Sequence, residues 1–400
     1  MPKPMRKVQK ANAAAQAAVL PKIPPELLDQ PVKGPMTAET VEDAPRLLKK
    51  ALIERAPELK SAVPKIISTF GSLSKSKPTQ ARWMSREEAI MGTAIRVELW
   101  HEKPAMGVAA LDAVMEEMHR IDRAMSPFKP ESELSRLNRE AAKAPVPISK
   151  EMFELIARSI EFSELSQGAF DITFASVGYM FDYRNGIKPT LEKIAAALPG
   201  INHRHIRLDR RECTIQFARD GVRIDLGGIA KGHAVDNCVA LLKARGVKEA
   251  LVMAGGDSRV LGDKRGRPWM IGIRDPRRKD TMVAMIPLVD AAISTSGDYE
   301  RYFEADGVRY HHILDPRTGI SATGVRSVTV VGPDATTTEG ISKSVFIMGP
   351  ERGIRFAESL PGIDAVIIDG DGNMHYTAGL RRESPQCTAG KTGVSGGGYV

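Results

Sequence analysis

The fold can be predicted from residues 222–257, which read VRIDLGGIAKGHAVDNCVALLKARGVKEALVMAGGD. Their pattern predicts a strand over 222–226, a glycine turn, a helix that contains Lys231, and a second strand that leads into a second glycine turn. Gly246 follows the last residue with helical spacing and is expected to end the helix in a left-handed conformation. A strand, a glycine turn and a helix start with free N–H groups and a lysine are what a phosphate group needs.

A purely structural interpretation of the same stretch stays open. A tight turn between two packed elements uses the same glycines without any ligand, and short glycine motifs often match by chance. The spacing fits neither the GxxxxGK[ST] phosphate loop nor the GxGxxG dinucleotide motif. This stretch alone therefore does not decide between a binding turn and a structural one.

Seven short segments, in order along the chain, resemble the ApbE family of FAD:protein FMN transferases. They are MGT at 91–93, SPFKPESELSRLN at 126–138, GAFD at 168–171, IDLGGIAKGHAVD at 224–236, AGGD at 254–257, STSGDYERYF at 294–303 and RYHHILDPRTG at 309–319. The resemblance implies an α+β, T-fold-related, ApbE-like domain with two lobes and a flavin pocket between them. It also implies transfer of FMN from FAD to a Ser or Thr of an acceptor flavoprotein, with release of AMP.

The resemblance further implies which residues hold FAD. They are Met91, Phe128, Ala169, Phe170, Asp171, Asp225, Lys231, Ser296 and Ile313. Phe128 is expected just beyond a helix end, although a core aromatic would fit as well. Asp171 follows a helix C-terminus, where an acid needs a compensating donor or cation, and hydroxyls of FAD would serve. Ser296 is expected in a polar turn at 294–297.

Two residues are expected to assist proton transfer from the attacking hydroxyl, namely His312 and Asp315. His311 and His312 are neighbours on a predicted strand, so their side chains face opposite ways and only one can point at the site. The family match selects His312. The sequence from Asp315 to Gly319 would also form a fixed turn for structural reasons alone.

The predicted helix at 335–349 departs from the family. There the family carries an Asp and, four residues later, a Thr, which hold magnesium together with a backbone carbonyl of the glycine turn. The corresponding residues here are Glu339, Lys343 and Gly228. An ammonium group cannot be a metal ligand, so the magnesium site is in question. Glu339 and Lys343 could form an ordinary i,i+4 ion pair, or Lys343 could take the ion's place beside the FAD diphosphate with Glu339 orienting it.

Charge is unevenly distributed along the 400 residues. The formal net charge is +8, and residues 1–80 hold 14 Lys and Arg against 7 Asp and Glu, so the rest of the chain is nearly neutral. Aromatic residues make up only 5% of the chain and do not alternate with a basic stripe, which argues against nucleic-acid binding.

Two functions remain beside transfer: a flavin carrier or regulator without activity, and an FAD pyrophosphatase that uses water.

Three regions are predicted. Residues 1–80, interrupted by prolines, are expected to form a largely disordered basic extension, with a loosely amphipathic stretch at 45–65. Residues 81–385 are expected to form the FAD-binding domain, and 386–400 a Gly/Ser-rich tail. No transmembrane segment is expected, because no run reaches about 18 apolar residues. No signal peptide or lipid-anchor cysteine is evident, which predicts a cytoplasmic protein, whereas many family members are exported.

Periodicity and capping residues predict further elements. We expect helices at 108–125, from Ser132, and at 150–167 behind Ser149, and strands at 91–100, 248–253, 269–273 and 282–289. Residues 182–220 are expected to be an irregular insertion without chemistry. The three cysteines show no paired spacing, and Cys238 is expected to be a buried small hydrophobe.

Overall fold

The computed structural model describes residues 81–278 and 280–380. The predictions for residues 1–80, for the tail at 386–400 and for Cys387 lie outside the described residues. The strands are β1 (Arg82–Ile90), β2 (Thr93–His101), β3 (Val146–Pro147), β4 (Ile206–Asp209), β5 (Thr214–Phe217), β6 (Ala250–Ala254), β7 (Asp257–Leu261), β8 (Trp269–Arg274), β9 (Met282–Leu288), β10 (Ala292–Gly297), β11 (Tyr302–Ala305), β12 (Val308–His311), β13 (Leu314–Asp315), β14 (Ile320–Ser321), β15 (Val325–Gly332), β16 (Asp364–Asp369) and β17 (Met374–Tyr376). The α-helices are α1 (Pro104–Met125), α2 (Glu133–Glu140), α3 (Lys150–Leu165), α4 (Ala175–Gly178), α5 (Leu191–Ala197), α6 (Ala230–Ala244), α7 (Ala335–Met348) and α8 (Pro350–Glu358).

An eight-stranded antiparallel sheet forms the centre, in the order β1-β2-β6-β7-β10-β15-β16-β17. Helices α1, α6, α7 and α8 pack on one face of this sheet. The β8–β9 hairpin covers the other face and buries Trp269 there. Successive side chains of β6 point to opposite faces of the sheet. Val252 therefore packs in the core on the helix side, and Leu251 in the core under the hairpin. The predicted α+β class is confirmed.

The local helix signals predict the helices well. The Ser132 hydroxyl accepts the Ser135 N–H at 3.0 Å, and the Ser149 hydroxyl accepts the Met152 N–H at 3.3 Å. These two contacts cap α2 and α3 at their starts. Cys238 on α6 is fully buried, as predicted, and burial raises the pKa of its thiol.

Gly232 and Gly246 have distinct roles in α6. Gly246 has φ 78° and ends the helix, as predicted. Gly232 allows α6 and α7 to approach closely, since a Cβ on it would lie 2.3 Å from the Ala335 carbonyl oxygen. This close approach brings the first turn of α6 against the α7 residues discussed below.

Several predicted elements were wrong. Residues 222–226 are not a strand, because side chains satisfy part of their backbone: Asn138 bonds both the N–H and the C=O of Ile224, at 2.8 and 2.9 Å. Residues 294–297 are not a turn but lie in β10, between β7 and β15. Of the central sheet, strands β1, β7, β15, β16 and β17 were missed. Met91 and Gly92, with φ 55° and 70°, form the turn between β1 and β2, so β2 begins at Thr93 rather than at Met91.

The region 182–220 is more ordered than predicted. It contains α5, β4 and β5, and β5 pairs with β3 and β4 in a three-stranded sheet. Ile215 and Phe217 on β5 are buried in the main core. Strands of four residues are too short to show a clear period, which explains why the sequence did not reveal them.

The described helices give no candidate for a membrane span, since none combines the required length with sufficient apolar character.

Candidate functional site

A cavity of about 580 Å³ is lined by residues of α2, α4 and α7 and by the loops around them. Its loop walls are those that follow α1 and α3, residues 223–228 and the chain after β12. Nine of the residues singled out in the sequence line it: Phe128, Ala169, Phe170, Asp171, Asp225, Gly228, His312, Ile313 and Lys343. The fold thus brings together residues that are up to 215 positions apart in the chain, from Phe128 to Lys343.

Five other singled-out residues are not part of the cavity wall: Met91, Lys231, Ser296, Asp315 and Glu339. Met91 lies in the β1–β2 turn and packs against the core. The remaining four lie behind the wall or turned from it, and each has protein partners that explain its position.

Lys231 is held by two acids rather than free for a phosphate. Its Nζ lies 2.9 Å from Oδ2 of Asp257 and contacts Oε1 of Glu339. Burial alone would lower the pKa of Lys231, but these two carboxylates outweigh burial and raise it. Lys231 is therefore a protonated structural cation behind the glycine turn.

Most N–H groups at the start of α6 already have acceptors in the protein. The Gly227 N–H donates to the Asp225 carboxylate at 2.6 Å, and the Gly232 N–H donates to Glu339 at 2.7 Å. The N–H groups of Ile229 and Ala230 donate to the Leu226 carbonyl. The N–H of Gly228, which lines the cavity, has no acceptor among the described residues, so a phosphate there would be held by this N–H and by side chains.

Two acids lie on the cavity wall: Asp225, which is half-buried, and Asp171, which is buried. Burial raises the pKa of Asp225, against the Gly227 N–H and the cations of Arg301 and Lys231, which lower it. Asp171 accepts the Thr173 N–H and the His203 N–H, each at 2.8 Å. The donors expected beside Asp171 are thus present, and they come from the protein backbone.

Glu339 and Lys343 do not form the i,i+4 ion pair considered from the sequence. Glu339 is fully buried and turned toward α6, whereas the Lys343 ammonium donates to the Ser296 hydroxyl at 2.7 Å. Ser296 in turn shares a hydrogen bond of 2.7 Å with Ser342. Glu339 therefore orients Lys231, and the two hydroxyls orient Lys343.

The two histidines face opposite ways, as predicted. His311 is buried, its Nε2 lies 2.8 Å from the Ala322 carbonyl and its Nδ1 accepts the Ile313 N–H at 3.3 Å. His312 lines the cavity, and its buried Nδ1 has no hydrogen-bond partner among the described residues. Burial, then the cations of Lys343 and Arg301, lowers the pKa of His312 to about 3. The imidazole is therefore neutral at physiological pH.

Asp315 and Phe128 differ sharply in exposure. The Asp315 carboxylate accepts three N–H groups of Arg317, its backbone N–H at 2.9 Å among them, within the turn that ends at Gly319. The hydrogen bonds of this turn therefore use the Asp315 carboxylate.

Phe128 is 82% exposed at the cavity rim, so the alternative of a core aromatic was wrong.

Sequence reasoning missed two residues in and behind the wall. Arg301 lines the cavity, forms no ion pair within the described part of the chain, and lies so close to Gly92 that a Cβ there would be 3.2 Å from its Nη2. Asp257 pairs with Lys231, and its Oδ1 is buried without a partner in the residues described. Arg301 lies in the family-like segment STSGDYERYF, and Asp257 lies in AGGD. The charge of these residues did not by itself indicate what they contact.

The donor set does not suit magnesium. The family positions here offer the Gly228 carbonyl at the cavity wall, an ammonium, Lys343, and a carboxylate, Glu339, whose oxygens already contact Lys231 and the Gly232 N–H. Magnesium requires near-octahedral oxygen ligands, and two ammonium groups beside the position oppose a dication. Across the described residues, no group of three His, Cys, Asp or Glu could hold a metal ion.

Comparison with known proteins agrees with this geometry. The sequence profile of the ApbE family matches residues 91–367. An FAD:protein FMN transferase of Treponema pallidum is 34% identical over 320 residues, covering 75% of this chain and 88% of the relative. One from Vibrio cholerae is 35% identical over 279 residues, covering 67% of this chain and 81% of the relative.

Solved structures give the same result. An ApbE protein from Thermotoga maritima superposes with a TM-score of 0.69 at 35% identity, covering 74% of this chain and 97% of its own. The flavin transferase ApbE from Vibrio cholerae superposes with a TM-score of 0.67 at 28% identity, covering 75% and 98%. With a family match across more than half of its length and relatives covered almost entirely, this chain belongs to the ApbE family.

Proposed function

We propose that this chain is an FAD:protein FMN transferase, which moves FMN from FAD to a Ser or Thr hydroxyl of an acceptor flavoprotein and releases AMP. Relatives with that name match it over most of their length. The observation that carries the proposal is the buried Nδ1 of His312, without a partner among the described residues, in a cavity that also contains Lys343 and Arg301.

The cavity suits FAD in size and in chemistry. Its volume of about 580 Å³ lies in the usual range of ligand sites, roughly 300–1,000 Å³. Aromatic side chains, among them Phe128, Phe170 and Tyr183, offer apolar faces to the flavin or adenine ring. We assign the diphosphate to Lys343 and Arg301, because these two cavity cations lie close enough to His312 to lower its pKa and neither has an ion-pair partner in the described residues.

In the transfer step, the acceptor hydroxyl oxygen attacks the phosphorus of the FMN half of FAD. A new P–O bond forms while the bond from this phosphorus to the bridging oxygen breaks, and AMP leaves with the bridging oxygen. Lys343 and Arg301 stabilise the negative charge on the leaving phosphate. The proton of the hydroxyl passes to His312.

His312 is the better of the two proton acceptors considered from the sequence. Asp315 is bonded to Arg317, away from the cavity wall. The low pKa of His312 keeps the imidazole neutral before the reaction. After burial, the cations of Lys343 and Arg301 contribute most to lowering this pKa. The negative diphosphate offsets these two cations when FAD binds, so the basicity of His312 rises in the complex.

The test is to incubate the full chain with FAD and an acceptor flavoprotein. We expect AMP in solution and flavin fluorescence that stays with the acceptor after denaturation. FMN in place of FAD is the control, because it has no diphosphate to break. Release of AMP without flavin on the acceptor would identify a pyrophosphatase, and bound FAD with neither product would identify a carrier or regulator.

A further inference from the structure

The place where the family pattern calls for a metal ligand is occupied by a fixed ammonium group. The Lys343 Nζ donates to the Ser296 hydroxyl at 2.7 Å. The Ser296 hydroxyl also shares a hydrogen bond with Ser342, the residue before Lys343 on α7. An ammonium group carries three N–H donors and no lone pair. One donor is used by Ser296, so two remain for a ligand in the cavity that Lys343 lines.

Three of the four carboxylate oxygens of Glu339 and Asp257 are already occupied, and Oδ1 of Asp257 is the one without a partner among the described residues. Glu339 accepts the Gly232 N–H at 2.7 Å and contacts Lys231, and Asp257 lies 2.9 Å from Lys231. Burial raises the pKa of Glu339, while the ammonium and N–H donors, which need an acceptor oxygen, favour its ionised form. Burial and the Lys231 ammonium lower the pKa of Lys343, while Glu339 and Asp257 raise it. With both lysines protonated and both acids ionised, the cluster is neutral. No net negative charge is left to attract a dication.

We infer that in this chain the Lys343 ammonium takes the place of the divalent cation, so that FAD binds through Lys343 and Arg301 without any metal. This inference rests on the proposed function, because it concerns the diphosphate of the same substrate. Both cations line the cavity and have no ion-pair partner in the described residues, and the N–H groups of Gly227 and Gly232 at the start of α6 are already bonded to carboxylates. A lysine can bind a diphosphate as a point charge.

The replacement has a consequence for rate. A single ammonium carries half the charge of a divalent cation and polarises phosphoryl oxygens less. Binding therefore becomes independent of metal, while transfer becomes slower than it would be with a bound dication. This consequence separates the effect on FAD affinity from the effect on turnover.

The first experiment is a titration of the full chain with FAD, followed by flavin fluorescence, in excess EDTA and in excess magnesium. We expect the two dissociation constants to agree within about twofold, and no stoichiometric metal in the FAD complex by elemental analysis. FAD binding that disappears in EDTA and returns with magnesium would overturn the inference.

Variants at position 343 make the test specific. Lys343→Met removes the charge and supplies no oxygen, so its FAD dissociation constant should rise roughly tenfold to a hundredfold and not respond to magnesium. Lys343→Thr should lose as much in EDTA but regain affinity with magnesium, because it supplies a hydroxyl oxygen. Lys243→Thr is the matched control, because Lys243 is exposed in the last turn of α6. This variant should bind FAD like the parent.

The outcomes separate this inference from the proposed function. Thermal unfolding of each variant shows that it is folded before its affinity is compared. Metal-independent FAD binding without transfer to any acceptor would contradict the proposed function and support the inference. Lys343→Met with parental affinity in EDTA would overturn the inference while transfer in the parent protein still stood. A folded parent chain that binds no FAD under either condition would overturn both.

Discussion

Glu339 on α7 accepts the backbone N–H of Gly232 on α6 at a distance of 2.7 Å. The carboxylate thereby caps the start of one helix from the interior of another, at the point where Gly232 lets the two backbones meet. Its second oxygen contacts Lys231, which is also bound to Asp257. These contacts hold the wall behind the cavity, and they make Glu339 a stabilising residue.

We expect Glu339→Gln to lower the free energy of unfolding by about 3 to 5 kcal/mol, because removing one partner leaves a buried charge uncompensated. Urea unfolding followed by circular dichroism measures this. The exposed Glu351→Gln on α8 is the control and should change stability by less than about 0.5 kcal/mol. Equal stability of the two variants would show that the buried contacts of Glu339 contribute nothing.

His312→Gln should reduce turnover roughly a hundredfold to ten-thousandfold, the usual range for a lost proton-transfer group. FAD affinity should change by less than about threefold, because the diphosphate is assigned to Lys343 and Arg301. Single-turnover transfer and FAD titration give the two quantities separately. Full activity in His312→Gln would remove His312 from the mechanism.

His311→Gln is the matched control for this change. His311 bonds the Ala322 carbonyl and the Ile313 N–H inside the core, so its loss should cost about 1 to 3 kcal/mol of stability. Per folded molecule, transfer should continue. If His311→Gln abolished transfer while His312→Gln retained it, the assignment of the two strand faces would be reversed.

Stability below neutral pH should depend on His312. Its folded pKa is about 3, whereas an unfolded histidine titrates near 6.5. Between these values the unfolded chain binds a proton that the folded chain does not, so this residue makes stability fall as pH decreases from about 6.5 toward 3. Between pH 7 and pH 5, His312→Gln should lose about 1 to 2 kcal/mol less than the parent in urea unfolding. Equal losses would mean that His312 titrates normally.

Local signals in the sequence were sufficient for the helices. Ser132 and Ser149 cap helices with their own side chains, and Gly246 ends one through a left-handed conformation. Each signal acts within a few residues, so sequence spacing reveals it. The motif set likewise predicted the family, which the comparisons confirm.

Long-range contacts explain what the sequence did not reveal. Ile224 looked like part of a strand, but its backbone partner is the side chain of Asn138, 86 residues away. Lys231 looked free for a phosphate, but Glu339, 108 residues away, binds it. The first pairing depends on α2 packing against the segment before α6, and the second on α6 packing against α7. Local periodicity carries no signal for either.

Transfer of FMN from FAD to an acceptor fixes the ratio of its two products, AMP and flavinylated acceptor. AMP in solution and flavin bound covalently to the acceptor can be quantified together by chromatography and mass spectrometry after one incubation with excess EDTA. We expect both products to form slowly and in a ratio of one to one. AMP that accumulates while the acceptor stays unmodified, or no AMP while FAD is bound, would contradict it.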